Sequence, residues 1–138
     1  MDTLSSLGII HERINKELQN ALKDVGIKVS CGHIWLLTLV YQNGGFIEIR
    51  ELVRTLEKKK TTVSEMVGTL ERNGYLKKYQ SVEDKRIFCV KTTPKADQMK
   101  DEILRIVESI SKKITMDISG EDLALTEKTI EKMAHNLK

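Results

Sequence analysis

Lys58, Lys59 and Lys60 run directly into Thr61, Thr62, Ser64 and Glu65, with Arg72 beyond, and further along come Lys78, Asp84, Lys85 and Arg86. Consecutive ammonium groups beside short hydroxyl side chains suit a polyanion, whose phosphates take the charge while its edges take the hydrogen bonds. The charge distribution points the same way. Residues 50–91 hold 11 basic and six acidic side chains, a balance of +5, whereas the 138-residue chain carries only +3 and the remainder therefore −2. A basic middle between mildly acidic ends is a local footprint, not a general cationic surface. The lysine run falls where a helix begins, and cations there oppose the helix macrodipole. A bound phosphate reverses that penalty. The plainer alternative is a solvated charge run.

Other chemistry finds less support. His11, His33 and His135 are scattered, and the chain shows neither a nucleophile motif nor a phosphate-binding glycine loop, so no enzyme and no cofactor are expected. A metal sensor built on His11, Glu12 and His135 lacks signature spacing. Cys31 and Cys89 form no disulfide framework and are expected to be buried structural thiols, a redox-responsive regulator being the alternative. Met1-Asp2-Thr3-Leu4-Ser5 is no secretory leader, and the apolar run Ile34–Tyr41 is too short to span a bilayer. A cytoplasmic location without membrane contact is the expectation.

Two elements must position the cationic residues. Val63, Met66, Val67 and Leu70 stripe one side of a helix at about 100° per residue. Thr61, Glu65, Gly68 and Arg72 then point away, with Thr62, Ser64 and Thr69 at the flanks. The short helix before it carries Ile49, Leu52, Val53 and Leu56, and the pair reads as a helix-turn-helix. Next, residues 75–80 and 86–92 have strand character around a polar tip at 81–85, which predicts a basic β-hairpin. Glu65 faces the proposed groove; it either accepts from a cytosine amino group or is simply exposed. Gly68 in mid-helix costs about 1 kcal/mol relative to Ala. Close approach of a phosphate backbone and tight packing within the chain are both open explanations.

Around this middle, apolar periodicity predicts a helix over 3–25, ending at Gly26, and an almost uniformly apolar, buried one from Ser30 to Gln42. Trp35, Tyr41 and Tyr79 are expected in the core. Thr93-Pro94 opens another helix, and Ser119-Gly120-Glu121-Asp122 resembles a capping box for a last one. The fold expected is mainly α with a small β-hairpin: a winged helix-turn-helix over 30–92, with terminal helices at 1–25 and 94–138, in one domain.

Gly44-Gly45, Leu52 to Val67, Leu70-Glu71-Arg72-Asn73-Gly74-Tyr75-Leu76, Asp84-Lys85-Arg86 and Thr93-Pro94-Lys95-Ala96 resemble the MarR (multiple-antibiotic-resistance regulator) family of winged-helix repressors, in order and spacing over residues 30–100. The resemblance implies that Arg86 enters the minor groove of double-stranded DNA while Asp84 orients its guanidinium. Physically, two residues two apart on a hairpin can share a face, and a narrow minor groove attracts arginine; a surface ion pair of little worth is the alternative. It also implies a homodimer clasped by the first and last helices, a pseudo-palindromic operator and a small-molecule effector. The chain departs from the family pattern at Thr92 (usually Leu), Ala96 (usually Gly), Lys59 (usually a polar cap) and Glu65 (commonly basic). His33 falls where Gln is common; it either touches a phosphate or packs within the chain. A winged-helix module that binds protein instead of DNA is the competing function.

Overall fold

The computed structural model describes residues 1–138. Its elements follow in the order α1 (Thr3–Asp24), α2 (Cys31–Gln42), β1 (Phe46–Glu48), α3 (Ile49–Leu56), α4 (Lys60–Arg72), β2 (Leu76–Gln80), β3 (Phe88–Thr92), α5 (Pro94–Ile114) and α6 (Gly120–Asn136). The mainly helical winged helix expected from the sequence is therefore observed, with one strand more than anticipated.

The helix boundaries have local causes. The Asp2 carboxylate accepts from Ser5 N–H at 2.8 Å and starts α1, and Gly26 leaves the helix with φ +74°. Thr93 accepts from Ala96 N–H at 3.2 Å with Pro94 in the first turn, and Ser119 accepts from Asp122 N–H at 3.1 Å. Ser30 is different. Its backbone starts α2, but its hydroxyl bonds the His33 ring and not a helix amide. His33 thus packs, half-buried, within the chain, and burial lowers its pKa from the ordinary value.

The core gathers on α2. Ile34, Leu36, Leu37 and Val40 are fully buried and join Leu18 and Leu22 of α1, Leu52 of α3, Val63 and Leu70 of α4, Val90 of β3 and Ile103 of α5 in one cluster. Burying each such side chain contributes about 1.5–3 kcal/mol. Tyr41 is buried as expected and donates its hydroxyl to Ala96 C=O at 2.5 Å, which joins α2 to the start of α5. Burial, with Asp97 and Tyr75 nearby, pushes its phenol well above the ordinary value. Ala96 is itself wholly buried there, so the departure from glycine is accommodated by packing. Trp35 corrects an expectation: it is 42 % exposed. Because α2 is apolar almost all round, periodicity alone could not say which apolar side chain faces outward. Tyr79 is only half-buried, and lies on the hairpin.

The sheet is antiparallel in the order β1-β3-β2, with Ile47 opposite Val90 and Lys78 also opposite Val90. Gly45 permits the entry of β1: its φ is +91°, and a Cβ would stand 3.2 Å from Thr92 Oγ1. The hairpin differs from expectation at one end. Arg86 and Ile87 belong to the tip, since β3 begins at Phe88. Asp84 is the reason. Its carboxylate accepts from Arg86 N–H at 3.0 Å and its carbonyl accepts from Ile87 N–H at 3.0 Å, folding a turn where a strand was expected.

The terminal helices leave apolar surface uncovered within one chain. No residue of α6 is buried, and Ile130 and Leu125 are 45 % and 64 % exposed. Between α1 and α5, Ile10, Ile14, Ile110 and Ile114 line an open cleft of about 250 Å³. No helix is long and apolar enough to cross a membrane.

Candidate nucleic-acid interface

Helix α4 is presented by the turn at Glu57–Lys59. Glu57 ends α3 in the left-handed region (φ 53°), and Lys59 is the N-cap residue of α4 in extended conformation. No side chain caps this helix end. Its first free N–H groups therefore point outward with Lys58, Lys59 and Lys60 around them, all exposed. The positive partial charge of an uncapped helix end and three exposed lysines fall at one stretch of chain, which suits a phosphate oxygen.

The inward stripe is as expected, with Val63, Val67 and Leu70 buried. Thr61, Ser64, Glu65 and Arg72 are exposed, and Thr62 and Thr69 lie half-buried at the flanks. Arg72 folds back along the helix and donates to Thr69 Oγ1 at 3.1 Å. Glu71, though exposed, is engaged: its carboxylate accepts from Lys78 N–H at 2.9 Å and ties α4 to β2.

At the hairpin tip Arg86 donates from Nε to Asp84 Oδ1 at 3.1 Å and from Nη2 to Asp84 Oδ2 at 3.0 Å. This fork-to-carboxylate pair holds a side chain that is otherwise 91 % exposed. The arginine holds the Asp84 carboxyl below its ordinary value and is itself shifted upward by that carboxylate. Lys78 lies over the Phe88 ring at 4.7 Å, and Lys85 is exposed at the tip.

Helix and hairpin meet across an open cleft of about 560 Å³. Lys60 and Ser64 border it from α4, Lys78, Asp84 and Arg86 from the hairpin, and Ile49, Val53 and Phe88 form its floor. Lys58, Lys59, Thr61, Thr62, Glu65, Arg72 and Lys85 lie outside it, on the outer side of α4 and the tip. Arg50 of α3 borders the same cleft and contributes to lowering the Asp84 pKa. Sequence reasoning counted Arg50 in the basic segment but did not place it in the site, because nothing local indicates that α3 reaches the hairpin.

The other chemistries are not assembled here. No three His, Cys, Asp or Glu side chains come together in a group able to hold a metal ion, so His11, Glu12 and His135 do not form the conceivable site. Cys89 is buried. Cys31 is half-buried, its single S–H lies 3.3 Å from both Asn15 C=O and Gln19 Oε1 as possible acceptors, and burial raises its pKa, which disfavours the reactive thiolate.

Comparison with known proteins agrees with this geometry. The sequence model of the MarR family matches residues 30–88. No curated protein matches the chain closely enough to count as a relative. Among solved structures, a MarR protein from Peptoclostridium difficile is 25% identical, with TM-score 0.81 over 99% of this chain and 88% of that one. A MarR-family transcriptional regulator from Listeria monocytogenes, solved with a 26mer DNA, is 23% identical, with TM-score 0.82 over 99% of this chain and 89% of its own. An organohalide-sensing transcriptional regulator in a 2,4-dichlorophenol-bound form is 20% identical, with TM-score 0.81 over 96% and 78%. Over residues 30–88 the chain carries the sequence pattern of the MarR family, and along almost its entire length it shares its winged-helix fold with MarR-family regulators of known structure.

Proposed function

We propose that this protein is a homodimeric transcriptional regulator, acting in the cytoplasm as a repressor, that binds a pseudo-palindromic site in double-stranded DNA and is released by a small ligand. The observation that carries this reading is the shared cleft. Lys60 and Ser64 of α4 and Lys78, Asp84 and Arg86 of the hairpin border one continuous cationic surface. Residues 30–92 form the DNA-binding part. Helix α4 enters the major groove while Arg86 reaches into the adjacent minor groove. Lys58, Lys59, Lys60, Lys78 and Lys85 meet phosphates, Thr61, Thr62 and Ser64 meet base edges or phosphates, and Arg72 extends the contact along the groove. The apolar surface left open on α1, α5 and α6 supports pairing of residues 1–25 and 94–138 across a two-fold axis. Two recognition helices would then lie about 34 Å apart, one turn of DNA. A phenol-bound regulator of similar fold supports a small effector for this chain too. No catalysis is part of this reading.

Salt dependence tests the contact directly. Each phosphate neutralised contributes about 0.9 to the slope of log K against log salt, so Lys60→Ala should lower the slope by about 2 per dimer. Fluorescence anisotropy with a labelled duplex across a salt series measures it, and an unchanged slope would remove Lys60 from the interface. Asp84→Asn should weaken the same binding by about fivefold, because Arg86 keeps its charge but loses the charge-assisted fork that orients it. An undiminished affinity would mean that the pair is only a surface ion pair.

A further inference from the structure

The outward side of α4 is nearly bare. Between Lys60 and Glu71 the side chains that do not pack inward are short, Thr61, Thr62, Ser64 and Thr69, with one exception, Glu65. Gly68 lies beside it on the same side. A Cβ at Gly68 would meet only the flexible Arg72 guanidinium, at 3.6 Å, so packing within the chain does not require glycine there. The result is a low surface from which Glu65 projects, with the Arg72 guanidinium folded back along the helix beside Gly68.

The Glu65 side chain is a carboxylate on the face turned toward a polyanion, and it is unengaged. Glu71 bonds a backbone amide, Glu48, Glu51 and Glu57 have basic partners, and Asp84 holds Arg86; besides Glu65, only Glu83 on the hairpin tip has no partner in this segment. Glu65 makes neither an ion pair nor a side-chain hydrogen bond; only its backbone carbonyl is used, by Thr69. Free carboxylate oxygens pressed into a major groove need donors. Cytosine offers N4–H₂ there with no acceptor on its own major-groove edge, whereas adenine sets N7 next to its amino group and would repel a carboxylate.

We infer that Glu65 is a specificity residue that accepts a hydrogen bond from a cytosine amino group, so that each half-site carries a C·G pair at one symmetric position. The inference rests on the proposed DNA-binding function. Its consequence is a preference of about tenfold for that pair over others at each half-site. Glutamine in the same place presents a donor and an acceptor and matches the N6 and N7 of adenine.

The test is selection from a random-sequence duplex library with the full-length wild type, Glu65→Gln and Glu65→Ala, read as base preference at every position. The expected result is a symmetric C·G pair for wild type, an A·T pair at that position for Glu65→Gln and no preference there for Glu65→Ala, the other positions unchanged. An unaltered preference in both variants overturns the inference and leaves DNA binding intact. So does a rise in affinity for scrambled duplex without a change in preference, which would put the carboxylate beside phosphate. A wild type that retains no duplex at low salt overturns the proposed function, and this inference with it.

Discussion

Arg86→Ala is expected to weaken binding of the operator duplex roughly 100-fold, a charge-assisted contact being about 1.5 kcal/mol and occurring twice per dimer. The fold should not notice the change. The side chain is 91 % exposed and bonds only Asp84, so its removal leaves no buried group unpaired. What is lost is a guanidinium already held in place by two N–H donors, so that little rotamer entropy remains to be surrendered on entering a groove. Arg86→Lys keeps the charge without the fork and should fall between the two. Anisotropy titration, with light scattering to confirm an intact dimer, measures both. If Arg86→Ala binds like wild type, the hairpin is not a DNA-contacting wing.

The double substitution Ile10→Asp with Ile114→Asp should halve the mass in solution and reduce operator affinity by about a thousandfold, because joining two binding modules is worth roughly 10²–10⁴. Both side chains lie on the α1–α5 cleft and are 49 % and 45 % exposed in the single chain, so each carboxylate stays hydrated in a monomer. In a dimer closed over that cleft the same charges would be buried without partners, which strongly opposes association. Sedimentation and duplex titration on the same sample provide the two readings. A variant that remains dimeric would exclude this cleft from the interface.

How much of this could be read from the sequence depended on how far each signal extends along the chain. The α4 stripe, the Thr93-Pro94 start and the Ser119 cap are set by neighbours three or four residues apart, and they appear as expected. Strand β1 was missed because three residues cannot display an alternating pattern; its pairing with Val90 and Lys91 is wholly non-local. Trp35 was placed inside because a helix apolar on most sides carries no directional information. The Asp84 and Arg86 pair was found for partly the wrong reason. Strand alternation suggested a shared face, whereas the observed cause is a side-chain-closed turn. Arg50 and the cleft it borders arise from packing between elements distant in sequence, where no local motif could announce them.

The lysine that begins α4 has one more consequence. A helix whose opening amides find no acceptor inside the molecule is held by hydration alone at that end. An arriving anion displaces that water and completes the first turn from outside. If α4 docks on DNA as proposed, part of the energy of docking would be the energy of finishing a secondary structure element, and the helix would gain its last increment of rigidity only on its target.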